Sequence, residues 1–340
     1  MDSNKTTEKV ILSSHGDGGL LTHQLLQDLF FPAFKNEWLE QAGDAAILDF
    51  CGHRLAMTTD SFVVSPLFFK GGDIGKLAIC GTVNDLVVSG ARPLWLSAAF
   101  ILPEGMAQAE LNRVVRSMED TAGSLKLPIV TGDTKVVDSG NRDNLFINTT
   151  GIGLVDPKAR FDPKYIEPSD LVIASGSVGD HGAAILAERL AFTGPNTPAS
   201  DCAPLIGLLE QLKPFYADIK VMRDPTRGGL ATTLIELAVA AKVDLLLEEG
   251  KIPVKPEVRA VADILGVDPY YLASEGRAVL IAAEAAGDAI LKTLKNIPGA
   301  EDSAIIGKVL EGSGAVFLRT QLGGTRRLRM LSGTPLPRIC

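Results

Sequence analysis

Cysteine is scarce in this 340-residue sequence: four in all, Cys51, Cys80, Cys202 and Cys340. They lie far apart, and no pair has the Cys-x-x-Cys spacing of a zinc or redox site. The four histidines, His15, His23, His53 and His181, have no metal-ligand spacing either. Long apolar runs are missing, since stretches such as Leu94 to Leu102 are too short to span a bilayer. No Lys/Arg-dense segment exists and the net charge is −8, which argues against a nucleic-acid partner. Met1 to Val10 is polar, without the apolar core of a signal peptide, so a soluble cytoplasmic protein is expected. Two familiar nucleotide signatures are also absent: no Gly-x-x-x-x-Gly-Lys-Ser/Thr loop, and no Gly-x-Gly-x-x-Gly after a strand.

With 46% hydrophobic and 22% charged residues, the composition is that of an ordinary globular protein, and the length suits two domains. Leu21, Leu25, Leu26, Leu29 and Phe30 keep helical spacing after a Gly-rich opening, which sets off residues 1–42. Ala46 to Phe50 and Arg54 to Thr59 read as strands joined by a Cys51-Gly52 turn. Asp73 reads as the cap of a helix carrying Ile74, Leu77, Ala78, Leu86 and Val87. A strand over Trp95–Leu102, a helix over Ala107–Lys126, a short strand over Ile129–Gly132 and a strand over Leu145–Val155 complete a domain at 43–155. Three prolines and several charges between Asp156 and Asp170 mark a boundary. A second domain, 156–331, starts with a buried strand at Leu171–Ala174. Helices are expected at Gly179–Leu190, Leu205–Leu212 and Gly229–Ala241, and strands at Asp244–Leu247, Ala278–Ala282, Ala304–Val309 and Ala315–Leu318. The mixture predicts an α/β (mixed α+β) chain of two domains. Residues 332–340, with two prolines and a glycine, form an extended tail whose last eight residues reach roughly 26 Å.

Cys51 and Cys80 sit in apolar segments and read as small buried residues; Cys202 lies in a loop. Cys340 ends the chain. A chain end has one covalent tether, so its thiol can visit one pocket and then another. Such a thiol titrates at about 8.5 when unperturbed.

Aspartates stand at the ends of apolar segments: Asp44, Asp60, Asp133 and Asp224. Asp85 follows Asn84 inside a helix, where both residues have poor propensity. Carboxylates on rigid elements suit Mg²⁺ that also grips phosphate, although each one alone, Asp85 excepted, reads first as a cap or turn residue. Glycine clusters at 16–19, 71–72, 176–182 and 228–229 allow backbone N–H groups to approach phosphate oxygens, and tight turns explain them as well. His15 and His181, beside glycines, read as turn residues or phosphate contacts. Lys135 and Glu275 lie in short polar segments bordered by glycine, as a phosphate ligand and a general base would, or as surface charges.

Taken together, these segments resemble the HypE family of hydrogenase maturation proteins, within the PurM-like ATP-binding superfamily. The likeness runs over nearly the whole chain. It is carried by His15-Gly-Asp-Gly-Gly19, Thr58-Thr-Asp-Ser61, Gly71-Gly-Asp-Ile-Gly75, Gly81-Thr-Val-Asn-Asp-Leu86, Gly90-Ala-Arg-Pro93 and Thr131-Gly-Asp-Thr-Lys-Val-Val137. Gly176-Ser-Val-Gly-Asp-His-Gly182, Arg223-Asp-Pro-Thr-Arg-Gly-Gly229 and the closing Pro337-Arg-Ile-Cys340 add to it. The aspartate motifs are common to the superfamily; the terminal Pro-Arg-Ile-Cys is the specific piece. The resemblance implies an ATP-dependent carbamoyl dehydratase. HypF would load a carbamoyl group on Cys340, ATP would drive its dehydration to a thiocyanate, and the cyanide would pass to a HypC–HypD complex. It implies PurM-like domains paired as a homodimer. Asp44, Asp60, Asp85 and Asp224 would hold Mg²⁺ and ATP, with Asn84 and Asp133 nearby, and Lys135 and Glu275 would form a deprotonating pair. Without the tail motif, a small-molecule phosphotransferase of the superfamily or a nucleotide-regulated docking protein fits the residues too.

Overall fold

A computed structural model describes residues 10–41, 43–138, 145–192 and 194–331; Cys340 and the rest of the tail lie outside the described residues. The chain begins with α1 (Leu20–Leu25), a π-helical turn and α2 (Phe31–Phe34). Then come β1 (Ala46–Phe50) and β2 (His53–Phe62), an antiparallel hairpin. Its two-residue turn puts Cys51 at φ 50° and Gly52 at φ 80°, the paired left-handed conformation that such hairpins need. Cys51 is therefore exposed rather than buried, because it occupies the turn instead of a strand face.

After the short ribbon β3 (Phe68–Phe69) and β4 (Gly72–Asp73) comes α3 (Ile74–Val88). Asp73 caps it, accepting from the N–H groups of Gly75 at 2.8 Å and Lys76 at 3.1 Å. Every residue of α3 except Lys76 and Asp85 is buried. The strands β5 (Ala91–Pro103), β6 (Ile129–Val137) and β7 (Phe146–Val155), with α4 (Gln108–Ser124) between β5 and β6, complete a sheet ordered β1-β2-β7-β5-β6. Helices α3 and α4 cover one face. On the other, Met57, Trp95, Ile101 and Phe146 stand exposed. The strand β6 is longer than expected, running through the polar Asp133–Lys135 stretch, and it forms the sheet's edge with all nine residues exposed.

Residues 156–170 lead to β8 (Leu171–Ala174), α5 (Asp180–Arg189), α6 (Ile206–Leu212), β9 (Ile219–Arg223) and α7 (Gly229–Ala241). Next are β10 (Val243–Glu248), α8 (Pro256–Leu265), β11 (Val279–Ala282), α9 (Gly287–Leu294), β12 (Ala304–Glu311), β13 (Val316–Arg319) and β14 (Thr325–Leu328). The second sheet is ordered β14-β13-β10-β12-β8-β11-β9. Leu77 and Leu86 of α3 belong to one apolar core with Leu208 and Leu212 of α6 and Ile290 of α9, so the two halves are fused through α3. A second core lies between α7 (Leu230, Leu234) and the strand residues Leu245, Val279 and Val316. Burial of these side chains, at roughly 1.5–3 kcal/mol each, fixes the elements that carry the site. Among the described residues no helix is long and apolar enough to cross a membrane.

Candidate active site

The first sheet, α3 and the turn after β9 enclose a cleft of about 770 Å³ lined by Asp44, Asp60, Asp85, Asp224, Arg227 and Glu275. Each aspartate arrives on a different element. Asp44 precedes β1, Asp60 lies near the end of β2, Asp85 projects from the last turns of α3, and Asp224 follows β9. Carboxylate oxygens of Asp44, Asp85 and Asp224 lie within 4.8 Å of one another. Thr58 donates its hydroxyl to Asp85 Oδ2 at 2.6 Å, which fixes the one carboxylate that α3 presents.

So many acids in one buried place repel. Burial pushes the Asp44 carboxyl up to about 6, with Glu236 and Asp60 adding and Arg223 opposing. Burial, reinforced by neighbouring aspartates, raises Asp85 and Asp224 well above the usual carboxylate range. Asp60 is raised by burial too, while Arg227 and a hydrogen bond with Asp85 restrain it. Positive charge is supplied by Arg223, whose Nε lies 2.6 Å from Asp44 Oδ1 and whose Nη2 lies 3.5 Å from Glu236. His23 of α1 meets the same Glu236 at 3.0 Å, which ties the opening helix to the cleft wall.

The turn after β9 depends on glycine. Gly228 and Gly229 have φ of 79° and 62°, and a Cβ on Gly229 would strike the carbonyls of Leu272 and Tyr270. That close approach brings 270–275 beside Asp224, where Ser274 N–H donates to Pro225 O at 2.9 Å. Glu275 follows, 2% exposed, and its Oε1 has no hydrogen-bond partner among the described residues. Burial and the nearby Asp224, Asp201 and Asp60 hold its carboxyl well above the usual range, against the pull of Arg227.

The other expected site residues lie elsewhere. Lys135 and Asp133 sit on the exposed edge strand β6, paired with each other at 3.0 Å, and the Lys135 side chain is 68% exposed. Opposite neighbours in the β5–β6 register put both on the outer sheet face with Ile101 and Ala99, outside the cleft that holds Glu275. Asn84 is 1% exposed and spends its amide on backbone groups of the second half, away from the cleft. His181 is fully buried against Ser200, with Nδ1–Oγ at 2.8 Å. Sequence reasoning passed over Thr58, Arg223 and Arg227, although all three stood inside quoted motifs; a cation beside a buried aspartate was the available signal.

Hard oxygen donors gathered on rigid elements fit Mg²⁺, and mutual repulsion within the trio would be relieved by a cation. Family models for the AIR synthase related protein match the chain twice, the N-terminal domain over residues 42–155 and the C-terminal domain over 167–319. The carbamoyl dehydratase HypE of Cupriavidus necator is 47% identical over 328 residues, covering 96% of this chain and 93% of that protein. A HypE crystallised in a complex with HypF superposes with a TM-score of 0.86 at 42% identity, covering 90% of this chain and 99% of that one. A HypE crystallised with ATP superposes with a TM-score of 0.81 at 45% identity, covering 97% and 100%. With two matching domain models in tandem and such identity over nearly its full length, the chain belongs to the HypE family of carbamoyl dehydratases that act in hydrogenase maturation.

Proposed function

We propose that the chain dehydrates an S-carbamoyl group carried on Cys340 to a thiocyanate, at the expense of ATP. The observation that carries this reading is the pairing, in one cleft, of a self-repelling aspartate trio with a buried Glu275 carboxyl that has an unpartnered oxygen. The carbamoyl carbon must lose its oxygen, and hydroxide leaves poorly. Attack by the carbonyl oxygen on the γ-phosphorus releases ADP and turns that oxygen into part of a phosphate ester. One nitrogen-bound proton then passes to a base and the other leaves with the phosphate as it departs, which leaves S–C≡N. Glu275 is the group in the cleft suited to accept a proton from the carbamoyl nitrogen. Asp44, Asp85 and Asp224 would hold Mg²⁺, with Asp60 beside them; bound there, the ion neutralises charge on the phosphates. Positive charge in the cluster also lowers the proton affinity of Glu275, which favours its basic form.

HypF is the proposed carbamoyl donor and a HypC–HypD complex the cyanide acceptor, in a cytoplasmic setting. A homodimer is proposed through the outer face of the first sheet, where Met57, Trp95, Ile101 and Phe146 are exposed beside the unpaired edge of β6. Lys135 and Asp133 share that face, so a phosphate or deprotonating role for them rests on the assembled pair rather than on one subunit. Replacing Glu275 by Gln tests the chemistry. ATP binding is retained and thiocyanate formation is lost; an unchanged single-turnover yield would remove Glu275 from the mechanism.

A further inference from the structure

Glu275 offers the cleft one carboxylate, and its aim depends on one stretch of backbone. That backbone is held from both halves of the chain. From the second half, Asp201 accepts the Glu275 N–H on Oδ1 at 3.1 Å and the Gly276 N–H on Oδ2 at 3.3 Å. A side chain on residue 276 would strike the Asp201 carbonyl, so the two segments lie directly against each other. Arg277 Nε lies 3.7 Å from Asp201 Oδ2 and also donates to Ser177 O at 3.1 Å, which braces the carboxylate from behind.

From the first half comes Asn84. Its Nδ2 donates to Glu275 O at 3.2 Å and to Ala203 O at 3.1 Å, and its Oδ1 accepts from Leu205 N–H at 2.8 Å. Both amide hydrogens and the oxygen are therefore engaged, all with the second half, and the side chain is fully committed at 1% exposure. The next residue on α3 is Asp85, a member of the aspartate trio. One turn of one helix thus sets both a trio carboxylate and the carbonyl of the residue read as the base.

We infer that Asn84 and Asp201 are positioning residues that clamp the Glu275 backbone from opposite sides and fix where its carboxylate stands relative to Asp85. The inference deepens the proposed function and rests on its reading of Glu275. A misplacement of about 1 Å at a reacting group costs on the order of 100-fold in rate, so hydrogen bonds that never touch substrate can govern turnover. Neither residue lines the cleft, so neither should matter for nucleotide affinity.

The test uses the full chain carbamoylated at Cys340, with single-turnover loss of water followed by mass and ATP affinity measured separately. Asn84→Ala removes the clamp without altering charge beside Asp85. It is expected to slow water loss by about 10- to 100-fold while the Kd for ATP stays within about threefold. Asp201→Asn keeps an acceptor for the Glu275 N–H and loses the one for Gly276; because it also removes a charge that helps to raise Glu275, its rate is taken from the plateau of its own pH profile. It is expected to slow the reaction by about three- to tenfold with the same Kd, and it reads the clamp from the other side should Asn84→Ala fail to fold. Rates equal to wild type in the folded variants overturn the inference. So does a Kd that rises in step with the fall in rate, which would make Asn84 a nucleotide ligand. A wild-type chain that loses no water contradicts the dehydratase reading itself, whereas a reactive wild type beside unchanged variants contradicts only the clamp.

Discussion

Arg223, the last residue of β9, grips Asp44, the residue two before β1, with Nε and Oδ1 2.6 Å apart. The bond crosses from the second sheet to the first at the mouth of the aspartate cluster. Burial still wins over this partner: the Asp44 carboxyl stays raised, at about 6. The cleft is thus held open at a cost in acid repulsion, in the way of a site shaped for a cation and a polyphosphate.

That cost has a pH signature. Asp44 rises from an ordinary 3.8 to about 6, so the folded chain binds its proton more tightly than the unfolded chain does. The stability this contributes is complete below about pH 4 and is lost as the pH climbs through 6. Burial raises Asp85 and Asp224 in the same direction. Asp156 and Asp244 are held below the ordinary range and act in the opposite sense, but below that window. Without divalent cations the melting temperature should fall between pH 4 and pH 7, and Asp44→Asn should flatten the fall. Calorimetry across this range checks it; equal slopes for both chains would contradict the assignment.

Asp85 trades stability for binding. Asp85→Asn removes one of the repelling charges and keeps a partner for the Thr58 hydroxyl at the same place. The nucleotide-free protein should melt slightly higher, since at an unfolding entropy of roughly 2.1 cal/mol/K per residue about 1 kcal/mol moves the midpoint of a 340-residue chain by only about 1–2 °C. The further rise that Mg–ATP gives the wild type should disappear. Thermal-shift measurements with and without Mg–ATP check both halves, and a variant still stabilised by the nucleotide would remove Asp85 from the metal set.

The dimer proposed above would pair through the outer face of the first sheet. Trp95, opposite Ile152, which in turn pairs with Met57 of β2, sits near the middle of an exposed apolar strip. Trp95→Glu should convert a dimer to a monomer by light scattering, and should leave the fold intact because the residue is already exposed. A variant that stays dimeric would place the interface elsewhere.

Much of this was legible in the sequence, for physical reasons. Continuous apolar runs such as Leu171–Ala174 and Gly229–Ala241 locate β8 and α7 to the residue, because most of their residues are buried. Gly and Asp punctuation reveals the turn at Cys51-Gly52 and the cap at Asp73. Strand β9 and helices α8 and α9 escaped, being short segments with charged residues among the apolar ones. The aspartates were found because carboxylates at the ends of apolar segments are conspicuous. That Asn84 faces away from the cleft was not legible: its three partners lie more than a hundred residues away in the chain, at Ala203, Leu205 and Glu275. Strand β6 was read too short for a related reason, since the polar stretch around Lys135, between glycine and valines, reads as a loop but pairs as an edge strand.

The central claim is that this one chain both carries the group and dehydrates it. The direct test is the intact mass of the chain carbamoylated by HypF, before and after Mg–ATP, with Cys340→Ala alongside. The account predicts that the wild-type adduct loses one water, that the loss maps to the last peptide, and that the variant shows neither adduct nor loss. An adduct at Cys340 that persists unchanged through Mg–ATP, or a loss of water that does not require Cys340, would contradict it.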